Sequence, residues 1–242
     1  MMKKVTVKIC GLMKSSDVKL CMKQGVDIVG FVTEYPVPVP WNLNRTTTAS
    51  LLRKVCLPHQ SCIVTGGSPD KVISLAAQLK PSMVQLHHQE SLEDTDIIAN
   101  NLGKIGIAVI KTIPPSGEDR LAQFGTVDIK AIVEALHKTN VQALLADSRS
   151  PANAAAKGTV FDYNFVRQIV KLSSKPVIIA GGITYENVCD ILTATGAKFI
   201  DVMTGVENKP GDKNARLLSK LLSNAHNCQD LGLLTTFENS PS

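Results

Sequence analysis

The chain has little aromatic surface and no strong charge of either sign. Phe, Trp and Tyr make up 4% of its 242 residues, and a formal net charge of +5 is spread without a long basic run. A nucleic-acid surface needs clustered Lys and Arg, commonly beside stacking rings, so that class is set aside. A mild positive excess suits a pocket for an anionic metabolite instead. No apolar stretch is long enough to span a bilayer and no secretory signal pattern occurs, so no membrane partner is expected. The six cysteines, Cys10, Cys21, Cys56, Cys62, Cys189 and Cys228, fall at no paired spacing. That argues against a zinc site or a disulfide framework, and the expected setting is a reducing cytoplasm. What is present is an ordinary globular composition, 44% hydrophobic and 19% charged. The length is close to the roughly 250 residues of a (β/α)8 barrel.

Short β-branched runs alternate with amphipathic segments. Strands are expected at 5–9, 28–32, 62–64, 83–86, 105–110, 143–146, 177–180 and 199–202, with helices such as 16–24, 69–79, 163–171, 186–195 and 214–222 between and after them. Alternation of this kind implies parallel pairing through helical crossovers, and eight units favour a closed α/β barrel, a TIM barrel, in a single domain. Ser68-Pro69-Asp70 reads as a cap, a first-turn proline and an early acid, and Ser15, Ser16 and Asp17 read the same way for the first helix. Two long connections, 33–45 and 148–161, would lie on the face that carries chemistry. The barrel is expected over residues 1–224, with a poorly ordered tail over 225–242. Neither monomer nor homodimer is favoured by the pattern.

Two reactive side chains stand at strand ends. Cys10 follows Val5, Val7 and Ile9, and Asp147 follows the run 141–146. Barrel enzymes place their chemistry at the carboxyl ends of strands, and a thiol facing a carboxyl could serve as base and acid. Taken alone, Cys10 reads as a small buried hydrophobe, the commonest fate of a free cysteine. Gly181, Gly182, Thr204 and Gly205 follow the seventh and eighth strands, where backbone N–H groups of barrels commonly hold a phosphate. Asp201, beside them, would repel a phosphate and is better suited to a sugar hydroxyl or to ordering the loop. His87 and His88 are adjacent on a strand and point to opposite faces, which makes a metal site improbable. Lys111 reads as a solvated or phosphate-steering charge at the barrel mouth, with a Schiff-base role as the minor alternative.

The strings KICGL, VQLH, FDY, IIAGGI and FIDVMTGVENKPGDKN, in that order, resemble the phosphoribosylanthranilate isomerase family of tryptophan biosynthesis. The resemblance implies a (β/α)8 barrel that converts N-(5-phosphoribosyl)anthranilate to its 1-deoxyribulose isomer, an Amadori rearrangement, with no metal or organic cofactor. It maps the base onto Cys10 and the acid onto Asp147, and lines the pocket with Gln85 and His87. For this chemistry Cys10 must be partly ionised, with Lys8 or a loop N–H lowering its pKa, and Asp147 must be protonated when it acts.

Two segments depart from the family. The loop after the second strand, TEYPVPVPWNLNR, lacks the arginine that grips the anthranilate carboxylate; Trp41 is expected to pack on the aryl ring while Arg45 or another arginine supplies the charge. Before FDY the chain has AAAKG, where Gly158 alone remains of a glycine string and Lys157 could contact an anion. A paralogous isomerase of another phosphorylated aminosugar, or a barrel that binds a phosphometabolite without turning it over, remain the competing readings.

Overall fold

The computed structural model describes residues 5–148 and 161–237. Eight parallel strands close on themselves in sequence order, β1 Thr6–Ile9, β2 Ile28–Val32, β3 Gln60–Thr65, β4 Met83–Leu86, β5 Ala108–Ile113, β6 Ala143–Asp147, β7 Val177–Ala180 and β8 Phe199–Val202. The last pairs with the first, Lys8 opposite Asp201, which shuts the barrel. Strands covered on both faces read as near-continuous apolar runs, and all five residues of β2 are buried.

The helices start where short polar side chains stand ready. Asn44 caps α2 (Arg45–Leu52), Ser68 with Pro69 caps α3 (Pro69–Leu79), and Ser91 caps α4 (Leu92–Gly103), each accepting a hydrogen bond from a first-turn N–H. The first helix, α1 (Ser15–Lys23), is an exception. Its cap is Lys14 without a side-chain bond, and Asp17 is instead buried and accepts the N–H of Lys213. Between β5 and β6 lie two helices, α5 (Gly117–Phe124) and α6 (Ile129–His137), capped by Ser116 and Asp128. The sequence pattern did not single them out. It also placed β5 three residues early, because the apolar Ile105 belongs to an exposed turn with Gly106 at φ +75°.

Three more helices complete the shell, α7 (Tyr163–Leu172), α8 (Val188–Thr195) and α9 (Ala215–Phe237). The last runs well past the expected 222. Leu218, Leu221, Leu222, Ala225 and Cys228 form a buried stripe at helical spacing, and small residues carry it where the sequence pattern fades. Cys228 meets Cys189 of α8 in a disulfide, against the expectation from cysteine spacing. The two are 39 residues apart, and only the packing of α9 on α8 brings them together. No helix among the described residues is long and apolar enough to cross a membrane.

Side chains alternate along each strand, so every second residue enters the barrel. Ile28, Cys62, Met83, Ile110, Ala143, Leu145 and Ile178 fill its lower interior. Lys111 is one residue out of that register. It points into the strand–helix layer, is 0% exposed, and pairs with the equally buried Glu90 at 3.1 Å, so it is neither a solvated charge nor a reactive amine at the mouth. Glu90 also accepts the N–H groups of Gly67 and His88, tying the loops after β3 and β4 together. Removing one partner of a buried pair strands the other charge, so Lys111→Met is expected to cost about 3–5 kcal/mol, most of it regained when Glu90→Gln is added. The shift in the urea unfolding midpoint of the single and double variants measures this.

Candidate active site

The inward register continues upward into a cavity at the carboxyl ends of the strands. Cys10 of the β1–α1 loop, Gln85 and His87 of β4 and its loop, Asp147 of β6, Gly181 after β7 and Asp201 of β8 all line it. Cys10, Gln85, His87, Asp147 and Asp201 each lie two residues along from a side chain already inside the barrel, as Cys10 from Lys8 and Asp147 from Leu145, whereas Gly181 directly follows the inward Ala180. The expected base and acid, Cys10 and Asp147, therefore share one cavity. Its remaining wall is apolar, built from Val32, Tyr35, Val39, Trp41, Val64 and Met203.

The floor is electrostatic. Lys8, with no exposure, donates to Asp201 Oδ2 at 2.6 Å and to Gln85 Oε1 at 2.9 Å. Burial works against its charge, but Asp201 and the nearby thiols Cys10 and Cys62 more than compensate and hold its pKa above the ordinary lysine value. The Oδ1 of Asp201 is buried and has no hydrogen-bond partner among the described residues. For Cys10 the balance runs the other way. Burial raises its pKa, Lys8 and Lys213 pull it down, Asp201 pushes it up, and the net shift is upward. Contrary to the expectation from sequence, Lys8 therefore does not bring the thiol below its ordinary value; desolvation outweighs the lysine. Cys62, deeper still, is pushed up to about 12 by the same cause.

His87 is held by its ring Nδ1, which lies 3.1 Å from Gln85 Nε2 and 2.9 Å from Thr112 Oγ1, while Nε2 is 3.7 Å from Asp147 Oδ2. Burial lowers its pKa more than Asp147 raises it, so the imidazole is neutral. Its neighbour His88 points elsewhere, its N–H bonded to Glu90.

Trp41 is 2% exposed and fixed by its indole N–H, which donates to Glu207 at 3.0 and 3.2 Å. Glu207 is in turn paired with Lys213 at 2.7 Å, and the same ammonium donates to the carbonyls of Cys10 and Met203. Lys213, inside the KPGDKN string, has no assigned role in the sequence reading, because nothing local tells that its side chain reaches back to residue 10. Gly11, at φ +72°, has no room for a side chain against Trp41 and Met203. Arg45 is not in the lining. Its Nε and Nη2 meet the two carboxylate oxygens of Glu34 at 3.0 and 3.1 Å and its Nη1 meets Gln78, so the guanidinium is occupied on the outside of the proline loop. Tyr35, another residue the sequence reading passed over, donates its hydroxyl to the His87 carbonyl at 2.7 Å and closes the wall.

The glycines of the seventh and eighth loops make close approaches. A side chain at Gly181 would strike Ser148 and Asp147, and one at Gly205 would strike the Ile183 carbonyl. Gly181 and Gly182 have φ +99° and +67°, a region where L side chains are disfavoured. Asn187 holds this loop through the Gly182 carbonyl and the Thr184 N–H. Thr204 and Gly205 open a single 3-10 turn, Thr204–Val206, beside it. Gly158 and Lys157 lie outside the described residues.

The family model for N-(5'-phosphoribosyl)anthranilate (PRA) isomerase matches residues 7–224. An N-(5'-phosphoribosyl)anthranilate isomerase of Methanosarcina acetivorans is 30% identical over 224 residues, covering 90% of this chain and 92% of the relative. One from Natronomonas pharaonis is 30% identical over 224 residues, covering 92% and 99%. The crystal structure of phosphoribosyl anthranilate isomerase from Thermotoga maritima superposes with a TM-score of 0.74 at 25% identity, covering 91% of this chain and 98% of that one. A second structure of such an isomerase, in complex with reduced 1-(o-carboxyphenylamino)-1-deoxyribulose 5-phosphate, gives a TM-score of 0.71 at 24% identity, covering 91% and 98%. With a barrel, a cavity and a family model that agree over nearly its whole length, this chain belongs to the N-(5'-phosphoribosyl)anthranilate isomerase family.

Proposed function

We propose that this chain is an aldose–ketose isomerase that rearranges N-(5'-phosphoribosyl)anthranilate to 1-(o-carboxyphenylamino)-1-deoxyribulose 5-phosphate, with Cys10 as base and Asp147 as acid. The observation that carries the reading is the convergence of Cys10, Asp147 and the half-satisfied Asp201 on one cavity of a family barrel. Asp147 protonates the ring oxygen as the C1'–O bond breaks, leaving an open-chain iminium. The Cys10 thiolate then removes the C2' proton, the electron pair moves into a C1'–C2' enolamine, and tautomerisation to the C2' ketone returns a proton to C1'. Substrate and product are isomers, so the scheme asks for no metal, redox cofactor or co-reactant. The free Oδ1 of Asp201 accepts a sugar hydroxyl, and the backbone around Gly181, Gly182, Thr204 and Gly205 takes the phosphate. A biosynthetic enzyme of this kind belongs in the cytoplasm.

Cys10→Ala and Asp147→Asn are each expected to lower kcat by roughly 10²–10⁴-fold while leaving inorganic phosphate competition nearly unchanged. Loss of anthranilate fluorescence from substrate made in situ measures it, and turnover near that of the parent in either variant removes the mechanism.

The pKa of Cys10 lies above the ordinary thiol value, so the base form is scarce at neutral pH and grows as pH rises through that pKa. Alkylation of Cys10 by iodoacetamide should therefore accelerate with pH into the alkaline range. In Lys8→Met/Asp201→Asn, which removes a neutral pair, the profile should move further upward, because Lys8 is the stronger of the two influences. An unchanged profile would show that Lys8 does not set the thiol.

One set of contacts favours a second reading. The wall beside Trp41 is hydrocarbon and aromatic, Arg45 is committed to Glu34, and Lys71 donates to the carbonyls of Glu34 and Gly66 at 2.5 and 2.7 Å. A ring without a carboxylate fits that wall at least as well as anthranilate does. A site that reads the carboxylate through a cation would reject phosphoribosylaniline by about 10²-fold or more in kcat/KM. A ratio within about tenfold is the outcome expected of a wall that reads only the ring.

A further inference from the structure

Four side chains on the cavity floor form a chain of donors and acceptors whose directions leave no choice. Lys8 Nζ is an ammonium and can only donate. It lies 2.9 Å from Gln85 Oε1 and 2.6 Å from Asp201 Oδ2, with no exposure to water that could replace either partner. The amide of Gln85 is therefore oriented with its oxygen on Lys8, and its NH2 group is turned toward His87 Nδ1 at 3.1 Å. An NH2 group cannot accept, so Nδ1 must be the lone-pair nitrogen of the ring. The remaining neighbour of Nδ1, the Thr112 hydroxyl at 2.9 Å, can rotate to donate and imposes nothing. A neutral imidazole with a bare Nδ1 carries its proton on Nε2, and Nε2 is the nitrogen 3.7 Å from Asp147 Oδ2.

We infer that Gln85 is a positioning residue: held by Lys8, it selects the Nε2–H tautomer of His87, and His87 thereby presents a hydrogen-bond donor to the Asp147 carboxyl. The inference rests on the proposed role of Asp147 as acid and extends it. As Asp147 passes its proton to the ring oxygen, negative charge grows on its carboxylate, 3.7 Å from the Nε2–H. His87 keeps its proton throughout and stays neutral. The opposite tautomer would set a lone pair against the same carboxylate, which opposes the proton transfer. Preorganised donors facing developing charge are a general source of rate, and a wrong imidazole tautomer abolishes the benefit without moving a heavy atom.

The test is a near-isosteric exchange, Gln85→Glu, read by 15N NMR of His87 and by kinetics. The carboxylate still accepts from Lys8 but now also demands a proton from Nδ1. In the parent enzyme the His87 Nε2 signal should be of the protonated, pyrrole type and Nδ1 of the pyridine type; in Gln85→Glu the Nδ1 signal should become protonated. With that change kcat should fall by about 10²-fold while KM stays within about threefold of its parent value. A parent spectrum with the proton on Nδ1 overturns the inference without any variant, and so does a Gln85→Glu enzyme whose tautomer changes while kcat holds. Failure of the acid assignment is seen separately, as an active Asp147→Asn enzyme.

Discussion

An ammonium group with no access to water must be matched by fixed acceptors, and Lys8 meets that demand across the seam where the first strand joins the last. Its partner Asp201 lies directly opposite in the β1–β8 register, 193 positions later in the chain. A charge cannot be left alone at this depth, so closure of the barrel and pairing of the lysine are one event. The same ammonium orients Gln85, sits near Cys10, and leaves the buried Oδ1 of Asp201 without a hydrogen-bond partner among the described residues. Much of the polar geometry at the mouth is therefore inherited from a single buried pair.

Around this floor the cavity divides by chemistry. One side brings together His87, Asp147 and the glycine loops after β7 and β8, the groups suited to moving protons and approaching an anion. The other is the apolar wall anchored by Trp41, whose indole is pinned through Glu207 and Lys213 back to the carbonyl of Cys10. The apolar wall and the position of the thiol are thus mechanically connected. In such a site the thiol is costly to ionise, since desolvation and the Asp201 carboxylate together outweigh the help of the two lysines.

The outer layer follows a different logic. Lys111 and Glu90 are as deeply buried as Lys8 and Asp201, but they brace loops and do not line the cavity at the strand ends. The two lysines illustrate how little separates a structural charge from a functional one. Lys8 is in the inward register of β1 and Lys111 is one residue out of the inward register of β5.

Particular residues show where sequence reasoning carries and where it stops. Alternation of β-branched runs with helical patterns was enough for the barrel, because strand period and helix period are local properties of the chain. Cys10, Asp147, Gln85, His87 and Asp201 were placed at the barrel mouth by the same local rule, and all five line one cavity: each stands at or just past the end of a strand, and parity along the strand decides that it turns inward. Arg45 and Lys111 were misplaced, since their partners Glu34 and Glu90 could not be weighed until loops folded back on them. The disulfide between Cys189 and Cys228, the reach of Lys213 to Cys10 and the pinning of Trp41 by Glu207 belong to the same class. Each joins residues tens to hundreds of positions apart. Periodicity and motif, both local, therefore carry the fold and the roster of reactive groups. Which charges are already spent on each other emerges only in the folded chain, because pairing and desolvation depend on distance in space and not along the chain.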